Sequence, residues 1–343
     1  MNLEDLNFDL PAGLIAQQPA AQRSASRMLH LSLGDKALSD RMFSDLPLLL
    51  APGDVLVVND TKVFPARLLG KTDSGAAIET FLVEEIEKDL WTVLAKPARR
   101  LGPGKKIFYD EGLSAEFIDK LPDGKVVLRY DCDGEMNDIV QKIGRTPLPP
   151  YIKRGRDAID NDRERYQTVF ADKRGAIAAP TAGLHFTPDV LEEIKRSGVE
   201  IAPVTLHVGY GTFEPVRSDD LSQHKVAAER TDLSAETAEM LNRAKSESRR
   251  IIAVGTTTTR TLESRLDQNG RFVSGLGLAD LTITPGYRFR AIDGLLTNFH
   301  LPKSSLLVLV SSFAGLDLTM QAYRHAVEQK YRFYSYGDCM FIS

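Results

Sequence analysis

The chain is 343 residues long, 43% hydrophobic and 26% charged, with a formal net charge of −4. Such a composition describes a globular, water-soluble protein too long for one ordinary core, so two domains are expected. Only Cys132 and Cys339 occur, far apart. They exclude a disulfide scaffold, a cysteine-based zinc site and an iron–sulfur cluster, and they fit a reducing cytoplasm. The start is acidic and lacks a basic leader, and the longest apolar run, Leu306 to Val310, is far too short for a bilayer. No membrane partner is expected.

From about Val55 to Tyr130 the chain reads as short β-like runs, separated by the turn signals Asp73-Ser-Gly75, Gly102-Pro-Gly104 and Pro122-Asp-Gly124. Strands this frequent, with no helix between them, predict a small antiparallel barrel or sandwich. A short helix near Glu135 to Ile143 follows, then Thr146-Pro-Leu-Pro-Pro-Tyr151, a stiff extended linker. Beyond it the pattern becomes α/β. Thr187 caps a helix that opens on Pro188 and closes at Gly198, and a strand runs from Glu200 to His207. Ser234 to Ser248 is helical, Arg250 to Gly255 is a strand buried on both faces, and a last helix spans about Asp317 to Lys330. Gly275-Leu-Gly-Leu-Ala-Asp280 lacks the third glycine of a dinucleotide fingerprint and reads as a turn.

Three histidines share one kind of setting: His185 after Pro-Thr-Ala-Gly-Leu, His207 after Val-Thr-Leu, and His300 after Thr-Asn-Phe. Each lies beside a β-prone run bordered by Gly, Thr, Asn or Pro, where α/β proteins build their sites, and the pattern directs all three toward one cleft. A lone buried histidine is more often a satisfied core residue, a reading that three matching contexts weaken. Gly255 followed by four threonines and Arg260 offers backbone N–H and hydroxyl donors at a helix start, suited to a carboxylate, phosphate or ribose. Ordinary threonine capping is the plainer alternative. Charge is uneven as well. Lys96 to Lys106 carries five cations and no acid, and residues 141–175 carry nine cations against five acids. Such clusters suit a polyanion, or else a solvated surface.

The residues also resemble a known family. The resemblance rests on Phe8-Asp-Leu-Pro-Ala-Gly-Leu-Ile-Ala-Gln-Gln-Pro, Val57-Val-Asn-Asp-Thr-Lys-Val-Phe-Pro-Ala-Arg-Leu68, Pro147-Leu-Pro-Pro-Tyr-Ile152 and Arg165-Tyr-Gln-Thr-Val-Phe170. It continues through Ala178 to Phe186, Val204 to Val216, Gly255-Thr-Thr, Thr297 to Pro302 and Tyr331 to Asp338. The chain is similar, nearly end to end, to the S-adenosylmethionine:tRNA ribosyltransferase-isomerases of queuosine biosynthesis. It differs from their pattern at Ala227 and Arg230, where the family usually has His and Tyr, while His224 and Glu229 remain. Lys62 stands where the family more often has Arg, which keeps the charge but not the bidentate geometry.

The resemblance implies an α/β sandwich domain, residues 1–62 and 151–343, interrupted by a small antiparallel β-barrel domain over 63–150. It implies transfer and isomerisation of the ribosyl group of S-adenosylmethionine onto 7-aminomethyl-7-deazaguanine in tRNA, giving epoxyqueuosine-tRNA, adenine and methionine. No metal or cofactor is implied, since S-adenosylmethionine is consumed as substrate. A cytoplasmic monomer is expected, with no obligate protein partner. Abstraction of the proton beside the sulfonium, attack by the amine and departure of adenine all need groups that exchange protons near neutral pH. His185, His207 and Glu229 are therefore the expected catalytic residues. Asn59, Asp60, Gly183, Gly209, Gly211, Thr256, Thr257, Arg260 and His300 are expected to bind substrate. Arg99, Arg100, Lys153, Arg154 and Arg156 are expected to contact tRNA phosphates. A metal-dependent hydrolase built on the three histidines and a non-catalytic RNA-binding module are the alternatives.

Overall fold

A computed structural model describes residues 1–155, 162–209, 221 and 225–343. Before the barrel come strands β1 (Arg27–Ser32), β2 (Ala37–Met42), β3 (Val55–Asn59) and β4 (Thr61–Val63). The barrel strands are β5 (Arg67–Thr72), β6 (Ala77–Glu87), β7 (Leu90–Lys96), β8 (Lys106–Phe108), β9 (Ser114–Lys120) and β10 (Val126–Asp131). After it come β11 (Lys173–Ala176), β12 (Glu200–Leu206), β13 (Glu229–Leu233), β14 (Ile251–Val254), β15 (Gly275–Ala279), β16 (Gly294–Asn298) and β17 (Cys339–Ile342).

The largest sheet has nine strands in the order β15-β13-β12-β3-β14-β16-β17-β1-β2. Its centre, β12-β3-β14-β16, is parallel. Parallel strands must be covered on both faces, which is why β3 and β14 are unbroken apolar runs. Their alternation divides the core. Val55, Val57, Ile251 and Ala253 pack on one face, where helices Ala235–Ser246, Thr256–Ser264, Ser305–Ala314 and Leu316–Glu328 contribute Leu241, Leu262, Leu309 and Tyr323. Leu56, Val58, Ile252 and Val254 pack on the other, against Val190 and Ile194 of helix Pro188–Arg196. That helix starts where the sequence places it: Thr187 accepts a hydrogen bond from the Val190 amide at 3.3 Å. Among the described residues no single helix is long and apolar enough to cross a membrane.

The six barrel strands close in the order β10-β7-β6-β5-β8-β9 around Leu68, Ile78, Leu82, Val93, Ile107 and Leu128. A short parallel pair, β4 with β11, lies where the chain leaves the α/β part and returns to it. Two local expectations are corrected. Gly275–Ala279 is an edge strand, fixed by antiparallel pairing to β13 rather than by its own propensity. Thr146–Tyr151 is no free linker: Thr146 is buried, and Tyr151 packs its ring 4.0 Å from that of Tyr334.

Candidate active site

Two cavities open at the carboxyl ends of β12, β14 and β16, where parallel sheets place ligands. The inner chamber holds about 100 Å³ and is lined by Tyr151, Thr181, Gly255, Thr256, Thr257, Thr297, Asn298, His300, Tyr334 and Ser335. It has no carboxylate, lysine or arginine in its described lining. The outer cleft, about 840 Å³, lies between sheet and barrel. Phe64, Trp91, Glu84, Glu85, Glu87 and Lys88 form its barrel side, and His207, Gly209, Glu229 and Arg230 face them. Val208 belongs to both walls.

The three histidines line three different cavities, so their expected convergence on one cleft is corrected. His185 borders a void of only about 20 Å³. Its Nε2 accepts from the Asn298 side-chain amide at 3.2 Å, which leaves Nδ1 protonated and donating to Ser26 Oγ at 2.9 Å. Burial, reinforced by Arg332 and Arg23, lowers its pKa to about 3. Both ring nitrogens are occupied, and the residue reads as a structural brace rather than the expected acid–base group. His300 is also buried, with its pKa lowered to about 3 by desolvation, and its Nε2 lies 2.9 Å from Thr297 Oγ1 in the inner chamber wall.

His207 differs. It sits just past the end of β12, half-buried, with Nδ1 2.9 Å from Thr61 Oγ1. Thr61 in turn has the Lys173 carbonyl as an acceptor at 3.4 Å, which leaves an oxygen lone pair for an Nδ1 proton. The ring packs against Gly175, where an added Cβ would come within 2.6 Å of Nδ1. Any larger residue there would displace the imidazole. Burial lowers the His207 pKa from its ordinary 6.5, with Asp60 opposing the shift and Arg230 adding to it. The neutral ring therefore predominates at pH 7.

Glu229, at the start of β13, is held from two sides. It accepts from the Gly209 amide at 2.9 Å and pairs with Arg260, both side chains being about 5% exposed. Arg260 also donates to the carbonyls of Leu281, Ala227 and Ala279 at 3.1, 3.2 and 2.7 Å. Its guanidinium is thus committed inside the protein, which corrects the expectation that it binds ligand. Of the threonines that follow Gly255, Thr258 and Thr259 return their hydroxyls to backbone carbonyls four residues earlier, as does Thr261. Thr256 and Thr257 line the inner chamber.

Other expected ligand contacts are also taken up by the protein. The Asn59 side chain bridges the Leu206 amide and carbonyl at 3.1 and 3.0 Å and accepts from the Thr61 amide, so it ties β3 to β12. Asp60 accepts from Thr205 Oγ1 at 2.6 Å, and burial raises its pKa. At Gly183 an added Cβ would meet Phe170 at 2.7 Å, so its bareness serves packing. Arg154 forms a bidentate ion pair with Asp162 at 2.7 and 3.0 Å, with the two side chains 15% and 7% exposed. Its guanidinium is therefore engaged by a carboxylate of the protein itself. Arg100 donates to the Ala77 carbonyl, while Arg99 and Lys153 are exposed. Gly211, Arg156 and His224 lie outside the described residues.

Sequence reasoning missed Thr61, Gly175 and Trp91. The first two are legible only once β4 and β11 are known to flank His207. Arg230 reaches across the cleft to Glu84 on the barrel at 2.6 Å. Among the described residues no group of three His, Cys, Asp or Glu is placed to hold a metal.

The comparisons agree with this architecture. The queuosine biosynthesis protein family model matches residues 3–342. The S-adenosylmethionine:tRNA ribosyltransferase-isomerase of Syntrophotalea carbinolica is 48% identical over the full length of both chains. That of Acidiphilium cryptum is 49% identical, covering all of this chain and 99% of its own. The crystal structure of the S-adenosylmethionine tRNA ribosyltransferase from Thermotoga maritima, 34% identical, superposes with a TM-score of 0.57 over 99% of this chain and all of that one. On the strength of an end-to-end match in sequence and architecture, the chain belongs to the queuosine biosynthesis protein family.

Proposed function

We propose that the protein transfers and isomerises the ribosyl group of S-adenosylmethionine onto 7-aminomethyl-7-deazaguanine in tRNA, releasing adenine and methionine and leaving epoxyqueuosine in the tRNA. The observation that carries this reading is the pair of chambers with unlike linings that meet at Val208, with His207 beside them. The inner chamber suits S-adenosylmethionine: its Tyr151 and Tyr334 rings offer faces to a sulfonium or a purine. At about 100 Å³ it is smaller than a whole nucleoside site, so the ribose extends past Val208 into the cleft. The outer cleft suits the extruded base. Phe64 and Trp91 offer aromatic surface, and Glu85 complements the aminomethyl cation.

His207 then acts as the base. With Nδ1 engaged by Thr61 and no partner at Nε2 among the described residues, Nε2 removes the proton beside the sulfonium, which triggers loss of adenine. Glu229 fixes the Gly209 backbone of the cleft wall and faces the amine that must attack the ribosyl carbon. Both substrates are spent, no cofactor is required, and the reading places the chain as a cytoplasmic monomer. The test is adenine release by purified protein given S-adenosylmethionine and tRNA bearing 7-aminomethyl-7-deazaguanine. Release confined to the modified tRNA, with ribosyl incorporated, is the expected result. Equal release with unmodified tRNA, or none at all, would overturn it.

A further inference from the structure

A third cavity, about 170 Å³, adjoins the outer cleft and shares Phe64 and Arg174 with it. Its charged lining consists of Lys62, Arg163 and Arg174, with no carboxylate among the described lining residues. None of the three cations forms a salt bridge among the described residues, whereas Arg154 is neutralised by Asp162 and Arg230 by Glu84. Lys62 and Arg174 are direct partners in the pairing of β4 with β11. Adjacent strands run about 4.8 Å apart, and like charges placed opposite each other destabilise the pairing. Arg174 is further fixed over the Phe64 ring at 5.4 Å and donates to Asn137 at 3.1 Å, while Arg163 donates to the Gln141 carbonyl. Three cations gathered with no carboxylate at ion-pair distance among the described residues, Asp138 and Glu85 acting on Arg174 only from farther off, make a lining suited to an anion.

We propose that this side pocket binds a backbone phosphate of the RNA next to the nucleotide whose base enters the outer cleft. The inference rests on the reading that the outer cleft takes the modified base. An extruded nucleotide carries its phosphates a few ångströms from its base, and the shared Phe64–Arg174 wall gives the same adjacency between pocket and cleft. The linings also match the ligand. Carboxylates meet the amine in one cavity, and guanidinium and ammonium groups meet the phosphate in the other. Phosphate recognition thereby moves to Lys62, Arg163 and Arg174, away from Arg154.

The test is the salt dependence of tRNA binding, measured by fluorescence anisotropy with modified and unmodified tRNA. Wild type is compared with the triple variant Lys62→Gln, Arg163→Gln, Arg174→Gln and with the charge-keeping triple Lys62→Arg, Arg163→Lys, Arg174→Lys. All three positions are exposed, so both variants should fold as the wild type does, the neutral one melting no lower than wild type. Neutralisation should weaken both tRNAs about tenfold and flatten the slope of log K against log salt by about 1. The ratio between modified and unmodified tRNA should stay as in wild type, and the charge-keeping triple should retain the slope. A wild-type slope in the neutral variant overturns the proposal, whether or not affinity falls. If wild type itself does not distinguish the two tRNAs, the base-cleft reading fails, and the slope still decides the phosphate pocket.

Discussion

The inner chamber and the outer cleft share Val208, yet they treat the same side chain in opposite ways. His300 in the inner wall is buried, and burial leaves it neutral down to about pH 3. His207 in the outer wall is half-buried, with an aspartate and an arginine pulling on it in opposite directions. Two histidines at strand ends of the same sheet are therefore unlike reagents. One is a fixed dipole that orients, and the other lines the open cleft, its pKa lowered by burial but held up by Asp60. What separates them is the solvent each strand end admits, not the local sequence.

The sharpest way to break this contrast is to remove each ring. His207→Ala should lower turnover by about 100- to 10,000-fold while leaving the melting temperature near that of the wild type. Equal losses of turnover and stability would place His207 among the structural histidines. The buried ion pair behind the outer cleft comes next. Arg260→Ala leaves Glu229 buried without its guanidinium and should cost about 3–5 kcal/mol in urea unfolding. A cost below about 1 kcal/mol would mean that solvent reaches the pair.

Acidity sharpens the comparison further. In the folded protein His185 and His300 refuse protons that they accept at about 6.5 once unfolded. Their contribution to stability is therefore complete above pH 6.5 and is lost as the pH falls from there toward 3. The melting temperature should decline across that window, and His185→Gln should reduce the decline. Turnover should be flat above neutrality and fall only as the pH drops through the lowered pKa of His207. The smallest effect belongs to the support of His207. Thr61→Val should reduce kcat by about tenfold with little change in KM, consistent with the loss of one hydrogen bond, and Thr61→Ser should restore it. A Val variant with wild-type kcat would show that the ring needs no such tether.

Much of the fold was legible because its period and punctuation are strong. The unbroken Ile251–Val254 run announces a covered parallel sheet, and Thr187-Pro188 with Gly198 brackets a helix, whereas Val55–Val58 reads with the barrel runs by its own sequence and proves to lie at the centre of the parallel sheet. Gly275–Ala279 escaped because its strand state comes from a neighbour distant in sequence. The site was less legible for the same reason. Nothing near His185 signals that Asn298 will occupy one of its nitrogens, and nothing near Arg154 shows that Asp162 folds back onto it. Counting cations located a basic region. Only pairing partners show which cations remain available, and Lys62 and Arg174 lie more than a hundred positions apart in the chain.

Val208 has a last consequence, for inhibitor design. On the proposed reading, a compound that fills only one cavity competes with one substrate and leaves the other cavity to its ligand. The two cavities are a single side chain apart. A short spacer joining an aromatic, uncharged head to an amine-bearing base would let the second half bind at the effective concentration set by the first. Such a molecule should bind far more tightly than either fragment, and enlarging Val208 to Phe should cost it more affinity than either fragment loses alone.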